Sequence, residues 1–139
     1  MTAFVDTSVF LRRLLKQPGA FTDWSAWGSV AASELLRVEA HRVHDRLRLQ
    51  RVFGDAELAE LHRLMLAAFK SLDFVRFSRA ALHRAAAPFP TVLGTLDAIH
   101  LASALLWMEE TGGEMTFLTH DTQLAIAARA CGLDVRTTP

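Results

Sequence analysis

The chain has 139 residues, 51% apolar and 22% charged, with a formal net charge of zero. That length and mix fit one globular domain with its own core, and exclude a disordered chain or a disulfide-stapled mini-protein. Zero net charge gives no whole-molecule field for nucleic acid, and no uncharged apolar run reaches the 18 residues of a membrane span.

Residues 1–139 are therefore read as a single domain. The one cysteine, Cys131, has no internal disulfide partner, which fits a reducing compartment. The opening Met1-Thr2-Ala3-Phe4-Val5-Asp6 lacks a basic leader followed by a long apolar core, so the expected location is the cytoplasm. Thirteen of the fifteen basic residues are Arg, and five lie between Arg37 and Arg51. Arg suits phosphate contact through its planar fork, although a solvated helix face explains that segment equally well.

In chain order, residues 2–6 form a short apolar run ending in an acid, and predict a buried strand. Thr7 or Ser8 can cap a helix to about Leu15, stopped near Pro18-Gly19. Phe21 to Trp27 predicts a short helix, and Gly28 to Ala32 a short strand. Ser33 can cap a long helix to about Leu49, with Leu35, Leu36, Val43 and Leu47 on one stripe. A second helix is expected from Asp55 to Phe69, with Leu58, Leu61, Leu64, Met65 and Ala68 inward. Leu72 to Phe77 is rich in β-formers and predicts a strand, and Ser78 caps the helix after it.

Pro88 and Pro90 mark a loop. Thr95 can cap a helix from Leu96 to about Glu110, ended by Gly112-Gly113. Met115 to Leu118 predicts a strand. Asp121 opens a helix through Cys131, with Gly132 in the position of a C′ glycine, and Val135 belongs to a last short strand. The order β-α-α-β-α-α-β-α-α-β-α-β implies a parallel sheet flanked by helices. Ligands of such folds bind beyond the carboxyl ends of the strands.

Four acids fall in that place. Asp6 ends the first strand, Asp121 follows the Met115–Leu118 strand, Asp97 lies in a first helical turn, and Glu39 lies two turns into the helix after the second strand. Singly, Asp97 and Asp121 read equally as helix-start carboxylates, and Glu39 as a surface acid paired with Arg42 or Arg46. Asp6 is harder to dismiss, because an acid on a buried strand end is costly unless paired, capping or metal-bound. Together, four carboxylates raise one another's pKa unless a counter-charge is present. A hard divalent cation is the natural one.

These residues resemble the PIN domain family. Phe4-Val5-Asp6-Thr7-Ser8 is similar to its first motif and Ser33-Glu34-Leu35-Leu36-Arg37-Val38-Glu39 to its second. Leu96-Asp97-Ala98-Ile99-His100-Leu101-Ala102 closely resembles the third. Phe117-Leu118-Thr119-His120-Asp121, followed by Leu124, Ala127 and Gly132, resembles the fourth. Size and layout are most similar to VapC-type toxins of toxin–antitoxin pairs.

The resemblance implies a three-layer α/β/α fold with a central parallel sheet of four to five strands. It maps metal-binding acids onto Asp6, Glu39, Asp97 and Asp121, and supporting hydroxyls onto Thr7 or Ser8 and onto Thr119. It further implies Mg²⁺- or Mn²⁺-dependent cleavage of RNA, leaving 5′-phosphate and 3′-hydroxyl ends. It also implies a homodimer and a small cognate antitoxin that fills the active-site groove. The family match favours Glu39 over Glu34, which is expected to be surface or antitoxin-facing. Arg37 or Arg42 would hold phosphates.

Other features read more plainly. The six histidines do not form a zinc spacing. His100 is expected to be packed or hydrogen-bonded near the site, and His120 to pack or to touch substrate. His41, His44, His62 and His83 are expected on helix surfaces. Cys131 reads as a small core residue, and Trp24, Trp27 and Trp107 as core or interface residues. A haloacid-dehalogenase-like phosphatase would need a second Asp where Ser8 stands, and the phosphate-loop motif is absent. The functional alternatives are a PIN-domain RNA-processing nuclease without a toxin role, and a PIN-like protein that binds RNA or a partner without cutting.

Overall fold

The computed structural model describes residues 1–138. Its elements run β1 (Thr2–Val5), α1 (Thr7–Leu14), β2 (Ser29–Ser33), α2 (Leu35–Gln50), α3 (Asp55–Phe69), β3 (Asp73–Val75), α4 (Arg79–Ala86), α5 (Thr95–Thr111), β4 (Met115–Leu118), α6 (Thr122–Ala130) and β5 (Asp134–Arg136). All strand pairings are parallel, and the sheet order is β3-β2-β1-β4-β5.

Successive strand residues point to opposite faces, and this divides the core in two. Ala3, Val5, Val30, Ala32 and Leu118 face α1, α2 and α3, where they meet Val9, Phe10, Leu36, Ala40, Met65 and Phe69. Phe4, Ala31, Met115 and Phe117 face α5 and α6, where they meet Leu101, Ala104, Leu105, Leu124, Ala127 and Ala128. The result is the expected three-layer α/β/α arrangement. Helix α4 packs outside, along α5, with Arg84 paired to Glu109 at 2.7 Å. Each fully buried Phe or Leu contributes roughly 1.5–3 kcal/mol through apolar burial.

Several local expectations are corrected. Phe21–Trp27 is not a helix. Trp24 is buried and its indole N–H donates to Phe21 O at 2.8 Å, while Ser25 bonds Asp23 at 2.6 Å. Such side-chain bonds favour turns, and so short a helix would not recover its nucleation cost. Ser33 is the last residue of β2 rather than the cap of α2, although its Oγ accepts from Leu35 N at 3.2 Å. The strand expected over Leu72–Phe77 contracts to Asp73–Val75. Asp6, not Thr7 or Ser8, caps α1, and Gly94 precedes α5 in place of Thr95. Leu64, expected inward, is 37% exposed.

Other signals hold. Ser78 Oγ accepts from Ala81 N at 3.1 Å as the cap of α4. Gly132 sits at φ +87°, with Gly132 N–H on Arg129 O and Leu133 N–H on Ala128 O. This is the paired closure of a Schellman motif, and the left-handed position favours glycine. Among the described residues no helix is long and apolar enough to cross a membrane.

Candidate active site

The strand order sets where a site can form. From β1 the chain moves outward through β2 to β3, then returns to the other side of β1 with β4 and continues to β5. The reversal lies between β1 and β4, and in open parallel sheets the crevice at that point receives ligands. Asp6 leaves β1 there, and Thr119 and Asp121 leave β4.

Asp6 is 4% exposed, and three hydrogen bonds fix its carboxylate. Oδ1 accepts from Val9 N at 3.0 Å and from Ser8 Oγ at 2.6 Å, and Oδ2 accepts from Thr119 Oγ1 at 2.5 Å. Capping and a place in the site are thus the same position, not rival readings. Thr119, wholly buried, also accepts from Asp121 N at 3.0 Å. Ser8 Oγ in turn accepts from His120 N at 3.3 Å. Two hydroxyls therefore tie the exit of β1 to the exit of β4. Asp121 caps α6 through Leu124 N at 2.9 Å.

Glu39 comes from α2, just over one turn in rather than two. Its Oε1 accepts from Thr7 Oγ1 at 2.6 Å and from His100 Nε2 at 2.6 Å. Burial pushes its pKa up, but the bonds from His100 and Thr7 and the field of His100 outweigh that and hold the carboxyl below its usual value.

Asp97 lies in the first turn of α5 without capping it. Its pKa is raised first by burial, then by the charges of Asp121 and Asp6, with a smaller push from Glu39 set against a pull from His100. Burial and charge act on it, with no hydrogen bond among them. Asp97 thus feels the charge of each of the other three acids chosen from sequence. Among the described residues, however, no group of three or more His, Cys, Asp or Glu side chains is placed to hold a metal ion.

The neighbours differ from expectation in places. His120 Nδ1 lies 3.3 Å from Arg12 Nη1 and 2.5 Å from Thr138 Oγ1, with its ring tilted on Phe21. Burial and Arg12 depress its pKa. Arg12 was not singled out from sequence; its position one turn after Ser8 on α1 was the available signal. Arg37 does not hang into solvent, because its guanidinium lies 4.0 Å over the Phe74 ring and 5.4 Å over Phe69. Arg42 is exposed, 3.7 Å from Asp45. Glu34 accepts from Phe77 N at 3.3 Å and so anchors the end of β3. His41, His44 and His62 are half-buried and pack on one another across α2 and α3, whereas His83 is exposed.

Among curated proteins none matches this sequence significantly. Solved structures are similar over the full length. A chain of the VapBC2 complex of Rickettsia felis, solved bound to a DNA fragment from its promoter, has a TM-score of 0.70 at 12% identity, covering 100% of both chains. A chain of a toxin–antitoxin complex from Klebsiella pneumoniae has a TM-score of 0.67 at 19% identity, covering 97% of this chain and 96% of that one. At such identities the likeness speaks for the fold. The family profile of the PIN domain matches residues 3–130. On a parallel sheet of order 3-2-1-4-5, and with that match across nearly its whole length, the chain belongs to the PIN domain family.

Proposed function

We propose that this protein is a divalent-metal-dependent endoribonuclease that serves as the toxin of a toxin–antitoxin pair and cuts single-stranded regions of RNA. The observation that carries the reading is the Thr119 hydroxyl, which joins Asp6 at the exit of β1 to Asp121 at the exit of β4 at the switch point of the sheet; beside them, burial and the negative charge of Asp121, Asp6 and Glu39 push the Asp97 carboxyl up. Such a cluster is relieved by a hard cation with oxygen ligands. Mg²⁺ typically takes only one or two carboxylates directly and keeps its other positions for water and phosphate. Although no three of the described side chains are placed to hold an ion as they stand, four carboxylates are the hard oxygen donors that Mg²⁺ or Mn²⁺ takes, so the chemistry of the donor set fits either ion.

Asp6, Glu39, Asp97 and Asp121 would hold the ion. A divalent ion at such a site lowers the pKa of water and shields charge that develops on a phosphodiester during in-line displacement. Thr119 and Ser8 keep the Asp6 carboxylate oriented. Asp97, whose ionised form burial and neighbouring charge disfavour, gains from the ion. The toxin role, with a small antitoxin as partner, is supported by the whole-chain likeness to structures from toxin–antitoxin complexes. A homodimer and a cytoplasmic location accompany that reading.

The experiment is cleavage of single-stranded RNA by the purified protein with Mg²⁺ or Mn²⁺, stopped by EDTA and lost in Asp6→Asn and Asp97→Asn. Intact cleavage in both variants overturns the site. Expression should arrest growth, and co-expression of a small protein encoded next to the gene should relieve it. RNA cleavage without any effect on growth assigns the protein to RNA processing instead.

A further inference from the structure

We propose that His100, acting with Thr7, is a positioning residue that commits Glu39 Oε1 to the protein and reserves Oε2 for the divalent ion; this rests on the metal-dependent reading above.

A glutamate on a helix has several rotatable bonds, and left alone its carboxylate samples many orientations. Here two donors converge on one oxygen. Thr7 Oγ1 donates to Glu39 Oε1 at 2.6 Å, and His100 Nε2 lies 2.6 Å from that same atom and 3.1 Å from Thr7 Oγ1. A carboxylate only accepts and the Thr7 hydrogen is already directed at it, so Nε2 must carry the hydrogen. The three side chains close a ring from α1, α2 and α5, with 61 positions separating Glu39 from His100 and 93 separating Thr7 from His100.

Two further observations set this histidine apart from ordinary core packing. His100 is 2% exposed and its neighbours Ala98, Ile99, Leu101, Ala102, Ala104 and Leu105 are buried and apolar. Its Nδ1 is buried with no hydrogen-bond partner. Buried polar atoms without partners are unfavourable, and an aliphatic side chain would fill the position without that penalty. The bond to Glu39 is what the imidazole adds. His100 also follows Asp97 by three positions on α5, so the two share one helix face. The bond from His100 to Glu39 therefore lies on the same helix face as Asp97.

The test compares His100→Leu, His100→Gln and Thr7→Val with the unaltered protein, reading Mn²⁺ affinity by calorimetry alongside thermal unfolding and RNA cleavage. Gln carries an N–H that reaches the Nε2 position, whereas Leu carries none. Folded His100→Leu and Thr7→Val are expected to bind Mn²⁺ about 10–100-fold more weakly, with kcat lowered and KM for RNA little changed. His100→Gln is expected to recover most of the Mn²⁺ affinity, which a purely structural role would not require. Wild-type affinity in both His100→Leu and Thr7→Val overturns the proposal. If His100→Leu does not fold, Thr7→Val and His100→Gln decide it on the same measurement. A wild-type protein that binds Mn²⁺ but leaves RNA intact overturns the nuclease reading alone, since the affinity comparison still decides this one. A wild-type protein that binds no Mn²⁺ overturns both.

Discussion

Thr119 donates its hydroxyl hydrogen to Asp6 Oδ2 at 2.5 Å across 113 positions of sequence, and accepts from Asp121 N at 3.0 Å. One buried hydroxyl thus spaces two of the four acids. Thr119→Val keeps the shape and removes both bonds. It is expected to lower metal affinity and RNA cleavage about 10–100-fold, and to cost about 1–3 kcal/mol of stability by stranding the Asp121 N–H. Thr119→Ser should retain most of both. Calorimetric Mn²⁺ binding and urea unfolding of the three proteins check this. Equal affinity in Thr119→Val would show that the bridge is dispensable.

Asp97 gives a pH dependence of definite sign. Its folded-state pKa is raised above 3.8 by burial and then by Asp121 and Asp6. Between 3.8 and the raised value the folded state binds more protons than the unfolded, so its contribution to stability falls as pH rises through that window. Asp97→Asn cannot ionise. The metal-free variant should therefore gain on the wild type as pH rises from 4 to 7, and saturating Mn²⁺ should narrow that gap. Unfolding temperatures across the range test this, and a variant that loses ground toward neutral pH contradicts it.

The histidine seam between α2 and α3 responds to pH in the opposite direction. His41 has its pKa lowered by burial, then by His62, His44, Arg42 and Arg37. Its ring lies 6.0 Å from His62 and 5.7 Å from Phe69, and His44 lies 5.3 Å from His62. Below 6.5 the unfolded state binds more protons, so stability falls as pH drops from 6.5 through the lowered folded value. Urea midpoints should decline over that interval in the wild type, and less steeply in His62→Gln. Parallel slopes would remove the seam from the account.

Phe117 tests the packing beneath the site. It is wholly buried and stacks on Phe4 with centroids 5.8 Å apart. Phe117→Ala should cost about 3–5 kcal/mol, a large share of a typical stability of about 5–15 kcal/mol. The double variant with Phe4→Ala should cost less than the sum of the two, because both side chains line one space. Denaturant titration of the single and double variants measures the coupling.

Sequence alone was enough for the elements whose causes are local. Short continuous apolar runs predict β1 and β4, the Gly132 stop predicts the end of α6, and Ser78 predicts the start of α4. The same locality misleads at Phe21–Trp27, where a short helix is expected but Trp24 turns inward on Phe21 O. It also falls short at Arg37, whose place over Phe74 depends on how α2 meets β3.

The four acids could be chosen from residue type and position, since strand ends and helix starts are readable along the chain. The charge that the other three place on Asp97 could not be. That depends on β1 lying between β2 and β4, a pairing made by backbone hydrogen bonds between segments distant in sequence, with no local code for partner choice. The ring of Thr7, Glu39 and His100 likewise exists only after α1, α2 and α5 have packed. Residue chemistry is carried by the chain, whereas the distances that let charges act on one another come from burial of both sheet faces, which no single segment can specify.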